Sequence, residues 1–552
     1  LDNMQMTINK KTIKQPLFTS WSYTVVVTFF LIFLLVGLSV YKDYGISWDE
    51  PYHRINAFVS VKYIADLISP GSFPQFGKYP PLHDYIAKEY GVVFDLFLFL
   101  IEVVSGHREN GPELYAWRHL CTFLLFYVSS FFFFLIVKNR FESWKTGLLG
   151  CLFFILSPRI FAESFYNVKD LVFLSFFTIA IYFLIRFLNK KSLLNAFLFA
   201  LASALTVDMR IVGIIIPCMG LLFIPLDLMK GAGTRASMKR EVLASLAYMV
   251  FGVVFTIMFW PYLWQDPFHN FTQAFSDMSR YMSAGNFGML YMGKIITASS
   301  VPWHYVPVWL AITTPVMYTL CFFIGVLTII RIPFRNRWRL YNNEQERQDL
   351  AFFLLFFGPI LAVIVFRSVL YDGWRQMYFI YSPFLLIAMT GLANSFRHIR
   401  KISAHSRYQI VYFTMVACIV LNMTYTLLWM IRFHPHENVY FNLIADKHAA
   451  EYFERDYWGL SYREGLEYIA KNDKRNIIKI KADIPYLALI NLYPMKQDDA
   501  RRFQLAELPD ADYYITGYRT RPDQISSDLD YYSISVDHVK ILSIVKLRES
   551  GS

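Results

Sequence analysis

The chain has 552 residues, of which 55% are hydrophobic, 18% aromatic and 17% charged, and it carries a formal net charge of +11. Soluble domains average about 25% charged residues, so 52 phenylalanines and a mean hydropathy of +0.35 point to a polytopic membrane protein and away from a large soluble core. The basic clusters lie between apolar runs, which argues against nucleic acid as the partner.

Eleven apolar runs approach the length needed to cross about 30 Å of hydrocarbon. They fall near 21–41, 114–137, 145–163, 170–188, 193–208, 211–229, 242–262, 305–330, 350–368, 376–395 and 408–431. The first is too long for a cleaved signal peptide and lacks a small-residue cleavage site. The pair 193–208 and 211–229, joined by "VDMR", is short and reads as two spans, tilted or re-entrant. The terminal "LDN" and "GS" read as appended residues outside the fold.

Lys and Arg set the orientation. "NKKTIK", "KNR" with Lys145, "NKK", "KGAGTRASMKR", "RIPFRNRWR" and "RHIRK" with Arg407 occupy alternate loops, which become cytoplasmic. The expected fold class is therefore mainly α. Residues 1–20 form a cytoplasmic N-terminus and 21–431 a transmembrane domain of about 11 helices. Residues 42–113 are a long first outer loop, and 432–552 a small soluble α/β domain on the extracytoplasmic side.

In the first outer loop, "GISWDEPYHRINA" places Asp49 and Glu50 just before Pro51, a favoured first helical position. Phe58, Val61, Ile64, Ala65 and Ile68 then recur at helical spacing, predicting an interfacial amphipathic helix. "YIAKEYGVVFDLFLFLIEVV" is interrupted by Asp95 and reads as a second interfacial helix. In the tail, "NIIKIKADI", "ADYYITGY", "YYSISV" and "VKILSIVKL" predict strands, and "SYREGLEYIAKND" an amphipathic helix.

Acids at a helix start have a plain explanation, since a helix N-terminus stabilises them by about 0.3–1 kcal/mol. Their company argues for more. The same side carries Arg159 and Glu163, Lys169 and Asp170, Asp208 and Arg210, and Arg367, Asp372 and Arg375 at membrane level, where ionisable groups are costly and mark functional sites. A carboxylate serves as a general base towards a hydroxyl, and cations suit a phosphate. At this depth the phosphate belongs to a lipid. The chain has no Walker loop and no dinucleotide fingerprint.

One span, then "WDEPYH" opening a long outer loop, then "KYPPLHDY", resembles the polyprenyl-phosphate-dependent GT-C glycosyltransferases of the protein O-mannosyltransferase and aminoarabinose-transferase type, in a bacterial member. "SPRIFAESFYNVKD" is similar to that group's loop between the third and fourth spans, and "DGWRQMYFIYSPFLLI" to its late span. The resemblance covers roughly 20–431 and rests on the order of short motifs. The tail resembles neither the β-trefoil domain of eukaryotic mannosyltransferases nor the tail of the aminoarabinose enzymes.

The resemblance implies an inverting transferase that moves a sugar from a polyprenyl-phosphate donor to an acceptor hydroxyl on a glycan, lipid or protein. It implies Asp49 as the general base, with Glu50 orienting the acceptor or supporting Asp49. Lys169, Arg210 and Arg375 would hold the donor phosphate, with Arg159 and Arg367 behind them. Asp170 would bind acceptor or pair with Lys169. His53, His83 and Tyr79 would bind the acceptor or support the site. The setting would be a bacterial inner membrane, crossed many times, with the N-terminus inside and the tail periplasmic.

His53, His83 and His304 lie in reach of a metal role with Asp49 or Asp84, but nothing has zinc-site spacing, so a divalent metal lacks support and no cofactor is assigned. "WPYLWQDP" and "VPWHYVPVW" read as interfacial aromatic belts. "NFT" and "NMT" read as chance glycosylation motifs. The five cysteines, Cys121, Cys151, Cys218, Cys321 and Cys418, all fall in apolar segments and read as core. Two other readings stay open: a transporter or flippase for a lipid-linked saccharide, and a non-enzymatic receptor or assembly protein.

Overall fold

The computed structural model describes residues 20–71, 74–107, 109–229, 235–279, 288–402, 406–445, 449–519 and 530–548. The N-terminus before residue 20, with "NKKTIK", and both appended ends lie outside these, as does the start of "KGAGTRASMKR".

The chain runs as α1 (Ser20–Val40), α2 (Glu50–Ile68), α3 (Val93–Ser105), α4 (Pro112–Phe141), α5 (Trp144–Ile155), α6 (Pro158–Tyr166), α7 (Asp170–Asn189), α8 (Leu193–Met209), α9 (Ile215–Met229), α10 (Arg235–Phe259) and α11 (Pro267–Ser279). A hairpin of β1 (Gly288–Tyr291) and β2 (Lys294–Thr297) follows, then α12 (Tyr305–Thr313), α13 (Val316–Arg335), α14 (Glu344–Phe366), α15 (Tyr381–Ile402) and α16 (Ser406–Phe433).

Eight of the helices in the described residues are long and apolar enough to cross a bilayer, and a bent pair makes a ninth. The expected count of about 11 apolar runs meets these eight or nine with differences at three places. Runs 193–208 and 211–229 form short helices; the 17 residues of α8 rise roughly 25 Å at 1.5 Å each, less than the hydrocarbon thickness. Run 145–163 is the bent pair, α5 and α6, turned by 70°. Pro158 cannot continue α5, and the Ser157 hydroxyl turns back to the Phe153 carbonyl at 2.7 Å. All nine residues of α6 are buried. Run 305–330 is likewise divided at Pro315 into α12 and α13, of which α13 alone has spanning length.

The polar side of α2 is the one that faces protein. His53, Asn56, Ala57 and Ser60 are buried, whereas of the five stripe residues only Ala65 is, and Ile68 is 81% exposed. Polar groups at membrane level need protein partners, so the helix turns its apolar stripe outward. Cys121, Cys151 and Cys321 are buried as expected; Cys218 and Cys418 are exposed, because their apolar helices present those faces outward.

Beyond α16 come α17 (Ala449–Tyr452), α18 (Ser461–Asn472) and a five-stranded sheet of β3 (Ile478–Ala482), β4 (Phe503–Leu505), β5 (Tyr513–Thr516), β6 (Tyr532–Val536) and β7 (Val539–Lys546). Its order is β4-β3-β5-β7-β6, with β3 parallel to both neighbours and β7 antiparallel to both of its own. The four strand-like runs and the amphipathic run lie in β3, β5, β6, β7 and α18. β4, three residues long, and the β1–β2 hairpin carried no signal of their own in the sequence.

The sheet region is packed onto the helices. Asn491 exchanges hydrogen bonds with the backbone of Ile46, Arg463 donates to the carbonyls of Lys42 and Tyr44, and Trp429 donates to Asp537. One apolar core runs from Val26 in α1 to Ile544 in β7.

Candidate active site

A cavity of about 320 Å³ opens where α2, the start of α7, the Tyr371–Arg375 turn and the C-terminal region meet. Asp49, Tyr52, His53 and Asn56 line it at i, i+3, i+4 and i+7, so one face of the first turns of α2 supplies a polar wall. Trp48, Tyr85, Tyr90, Lys169, Tyr371, Asp372, Arg375 and Arg519 supply much of the rest.

Arg375 is the centre of the charge network. One terminal nitrogen lies 2.8 Å from Asp49 and 3.0 Å from Asp170, and the other 3.2 Å from Asp372. Its guanidinium also sits over Trp458 and Tyr371, at 4.6 and 5.0 Å. The turn that delivers it needs Gly373, whose φ of +66° suits glycine. Asp372 is shared with Arg519 at 2.5 Å, and Arg519 stacks on Trp48. Asp170 completes the set by pairing with Arg210. Asn167 fixes the start of α7 by accepting the backbone N–H of Asp170 at 2.8 Å.

Asp170 therefore pairs with Arg210 and Arg375, not with Lys169. The ammonium of Lys169 instead lies 3.0 Å from the centre of the Tyr90 ring, and no carboxylate among the described residues is within ion-pair distance of it. Burial, and then Arg210 beside it, push the proton affinity of its amine well down. Burial raises the Asp49 carboxyl, but Arg375 and then His53 outweigh this and hold it below the usual range.

His53 enters with a partner that the sequence did not suggest. Its Nδ1 lies 3.0 and 3.2 Å from the two carboxylate oxygens of Asp95, which α3 buries to 2% exposure. α3 is held in place in turn by Asp208, whose Oδ2 accepts the Val93 N–H at the start of the helix.

Other predicted residues fall elsewhere. Glu50 is fully buried and turned into the wall: its Oε2 accepts the backbone N–H and hydroxyl of Ser47, and its Oε1 is 3.1 Å from His119. It braces the turn that carries Asp49. Arg159 is buried behind the cavity, donating to the Tyr440 carbonyl and lying over Phe441 at 4.8 Å. Arg367 is exposed on a separate pocket with Ser299, Ser300 and Trp303. Tyr79 packs on Phe58 and Phe76, and His83 lies between the rings of Tyr63 and Tyr262; neither lines the cavity. The motif "KYPPLHDY" reaches the cavity through Tyr85, whose hydroxyl donates to Asn56 at 2.7 Å.

Sequence reasoning missed Arg519, Asp95, Trp48 and Tyr90. Arg519 sits in "GYRTRPD", which has no periodic signal, and Asp95 read as a mere break in an apolar run. Among the described residues no group of three or more His, Cys, Asp or Glu is placed to hold a metal ion.

The fold and this cavity define a polytopic helical membrane protein with a charged cavity at one end of its spans. The sequence matches no family model and no curated protein. Among solved structures the chain is similar to the crystal structure of ArnT from Cupriavidus metallidurans bound to undecaprenyl phosphate. The identity is 11% over 94% of this chain and 98% of that one, with a TM-score of 0.42.

Proposed function

We propose that the protein is an inverting glycosyltransferase that moves a sugar from a polyprenyl-phosphate donor to an acceptor hydroxyl at the outer face of a bacterial inner membrane. One observation carries the reading: a single cavity holds Lys169, which has no acidic partner within reach among the described residues, with Arg375 and Arg519, beside Asp49, His53 and Asn56. Cations placed where a phosphate leaves with a bonding pair stabilise the charge that develops on it. A carboxylate or an imidazole beside the attacking hydroxyl takes up its proton.

The donor phosphate is bound by Lys169 and Arg375, with Arg519 beside them and Arg210 holding Asp170 in register. The acceptor lies against Asp49, Tyr52 and Asn56. Glu50, Tyr79 and His83 serve the scaffold around it. Residues 432–552 form the extracytoplasmic part that covers the site. The depth of the charges favours an enzyme over a carrier. Asp170 and Arg375 begin their spans, Arg210 follows α8 and Asp49 precedes α2, so the charges gather at one end, whereas secondary transporters bind at the midplane.

The test is transfer by purified protein from a panel of radiolabelled polyprenyl-phosphate sugars into an envelope extract. The wild type transfers label, and Asp49→Asn loses roughly a hundredfold or more of the rate. Absence of transfer from every donor by the folded wild type refutes the reading.

A further inference from the structure

The sequence draws attention to Asp49 as the proton acceptor, yet the cavity holds a group better arranged for that task. Asp49 Oδ2 is committed to Arg375 at 2.8 Å. His53 is different. Both oxygens of Asp95 lie within hydrogen-bond reach of its Nδ1, and Asp95 has no other hydrogen-bond donor among the described residues. A buried carboxylate facing one ring nitrogen keeps the proton on that nitrogen. The lone pair of neutral His53 is then on Nε2, which has no partner among the described residues, and the ring lines the cavity. The tautomer is assigned from this hydrogen bond.

We propose that the proton released by the acceptor hydroxyl ends on Nε2 of His53, with Asp95 as the positioning residue behind it. The inference rests on the glycosyltransferase reading and names the group that receives the proton in it. The step balances within the cavity. The acceptor O–H breaks and an N–H forms at Nε2. The acceptor oxygen bonds to the anomeric carbon as the carbon–oxygen bond to the lipid phosphate breaks, and the phosphate leaves with the electron pair. The resulting imidazolium is paired with Asp95 and returns its proton to solvent before the next turnover.

The charged and titratable groups around His53 are Asp95 and, behind it, Asp208, with Asp49 and Tyr52 on its own helix. Tyr85 and Tyr90 line the same cavity from the first loop, as do Lys169, Tyr371, Asp372, Arg375 and Arg519 from the other elements.

The experiment is the pH profile of kcat/KM for sugar transfer by the full-length protein. Wild type, His53→Ala, Asp95→Asn and Asp49→Asn are compared, each checked for folding by thermal unfolding in detergent. Measured over roughly pH 5 to 8, the wild-type profile should show an acidic limb. Asp95→Asn should move that limb to lower pH, because a neutral amide supports the imidazolium less. His53→Ala should lose the limb and about 10²–10⁴-fold in rate, with partial rescue by added imidazole, a response that a purely structural role does not give. Asp49→Asn should keep the limb in whatever activity remains.

A flat wild-type profile over this range, or a folded His53→Ala enzyme with wild-type rate and profile, overturns the inference while leaving the glycosyltransferase reading intact. No transfer by wild type overturns both.

Discussion

Arg375 contacts Asp49, Asp170 and Asp372 at once while 3% of its side chain is exposed. Removing one partner from a buried ion network leaves uncompensated charge and costs about 3–5 kcal/mol. Arg375→Ala should therefore lower stability by that order as well as abolish transfer. Arg375→Lys should recover much of the stability, because a cation returns, but little of the transfer, because an ammonium cannot hold three carboxylates and a phosphate in a planar fork. Thermal unfolding and the transfer rate, measured on both variants, separate the two effects. At this scale the sequence was legible where acids and cations stand next to each other in span-end motifs. Asp49, Lys169 with Asp170, Arg210 and Asp372 with Arg375 all converge. Two further cations of the sequence reading lie outside the cavity. Arg367 sits exposed at the end of α14 with a φ of +48°, and Arg159 is stacked on aromatics behind the cavity. Asp95 was hidden because its partner, His53, lies 42 residues away.

The helices α13 and α15 approach more closely than side chains would allow. A Cβ on Gly391 would stand 2.1 Å from the Cys321 carbonyl oxygen, and one on Gly325 would stand 2.0 Å from that of Ile387. Backbone cannot swing aside as a flexible side chain can, so the helices must part. Gly391→Ala should cost about 1–3 kcal/mol or more, read as a lower unfolding temperature. Gly252→Ala in α10, where an added Cβ meets nothing within 4 Å, should not lower it. α15 also carries the turn that holds Arg375, so the same variant should weaken transfer.

The join between the first loop and the region after α16 is electrostatic. His434 lies 3.0 Å from Asp43 and 2.8 Å from Glu437. Burial lowers its proton affinity, but Glu437 and then Asp43 outweigh this and raise it to about 9. A group bound more tightly to its proton when folded stabilises fully below its unfolded value of about 6.5 and loses that contribution as pH rises through the folded one. The unfolding temperature of wild type should thus fall between about pH 6.5 and 9 relative to that of His434→Gln, and the two should run parallel at higher pH. Helix existence was legible from apolar runs; helix breaks were not, because at Pro158 and Pro315 the chain turns without a long polar segment to mark the break.

The two ends of the bundle use charge differently. At the end away from the cavity, Arg140 pairs with Asp349 at 2.6 Å, and Arg347 and Lys191 share Asp227. At the other end, Lys169 is left with an aromatic ring for company. The region after α16 contributes directly to that second end. Arg519 donates to the Tyr457 carbonyl and to Asp372, and lies over Trp48, so it ties β5's outgoing chain to the first loop and to the Arg375 turn together. Without it, Asp372 falls to Arg375 alone, and Arg375 is drawn further from any phosphate. If the cavity binds a donor phosphate, Arg519→Ala should raise the donor KM by roughly ten- to a hundredfold, or about 1.4–2.8 kcal/mol. kcat should change less, since Arg519 reaches the cavity by way of Asp372 and Trp48. Steady-state kinetics over a range of donor concentrations reads this split. A uniform loss of kcat with unchanged KM would mean instead that Arg519 acts by holding the loop and tail together, and the unfolding temperature would then fall in step with activity.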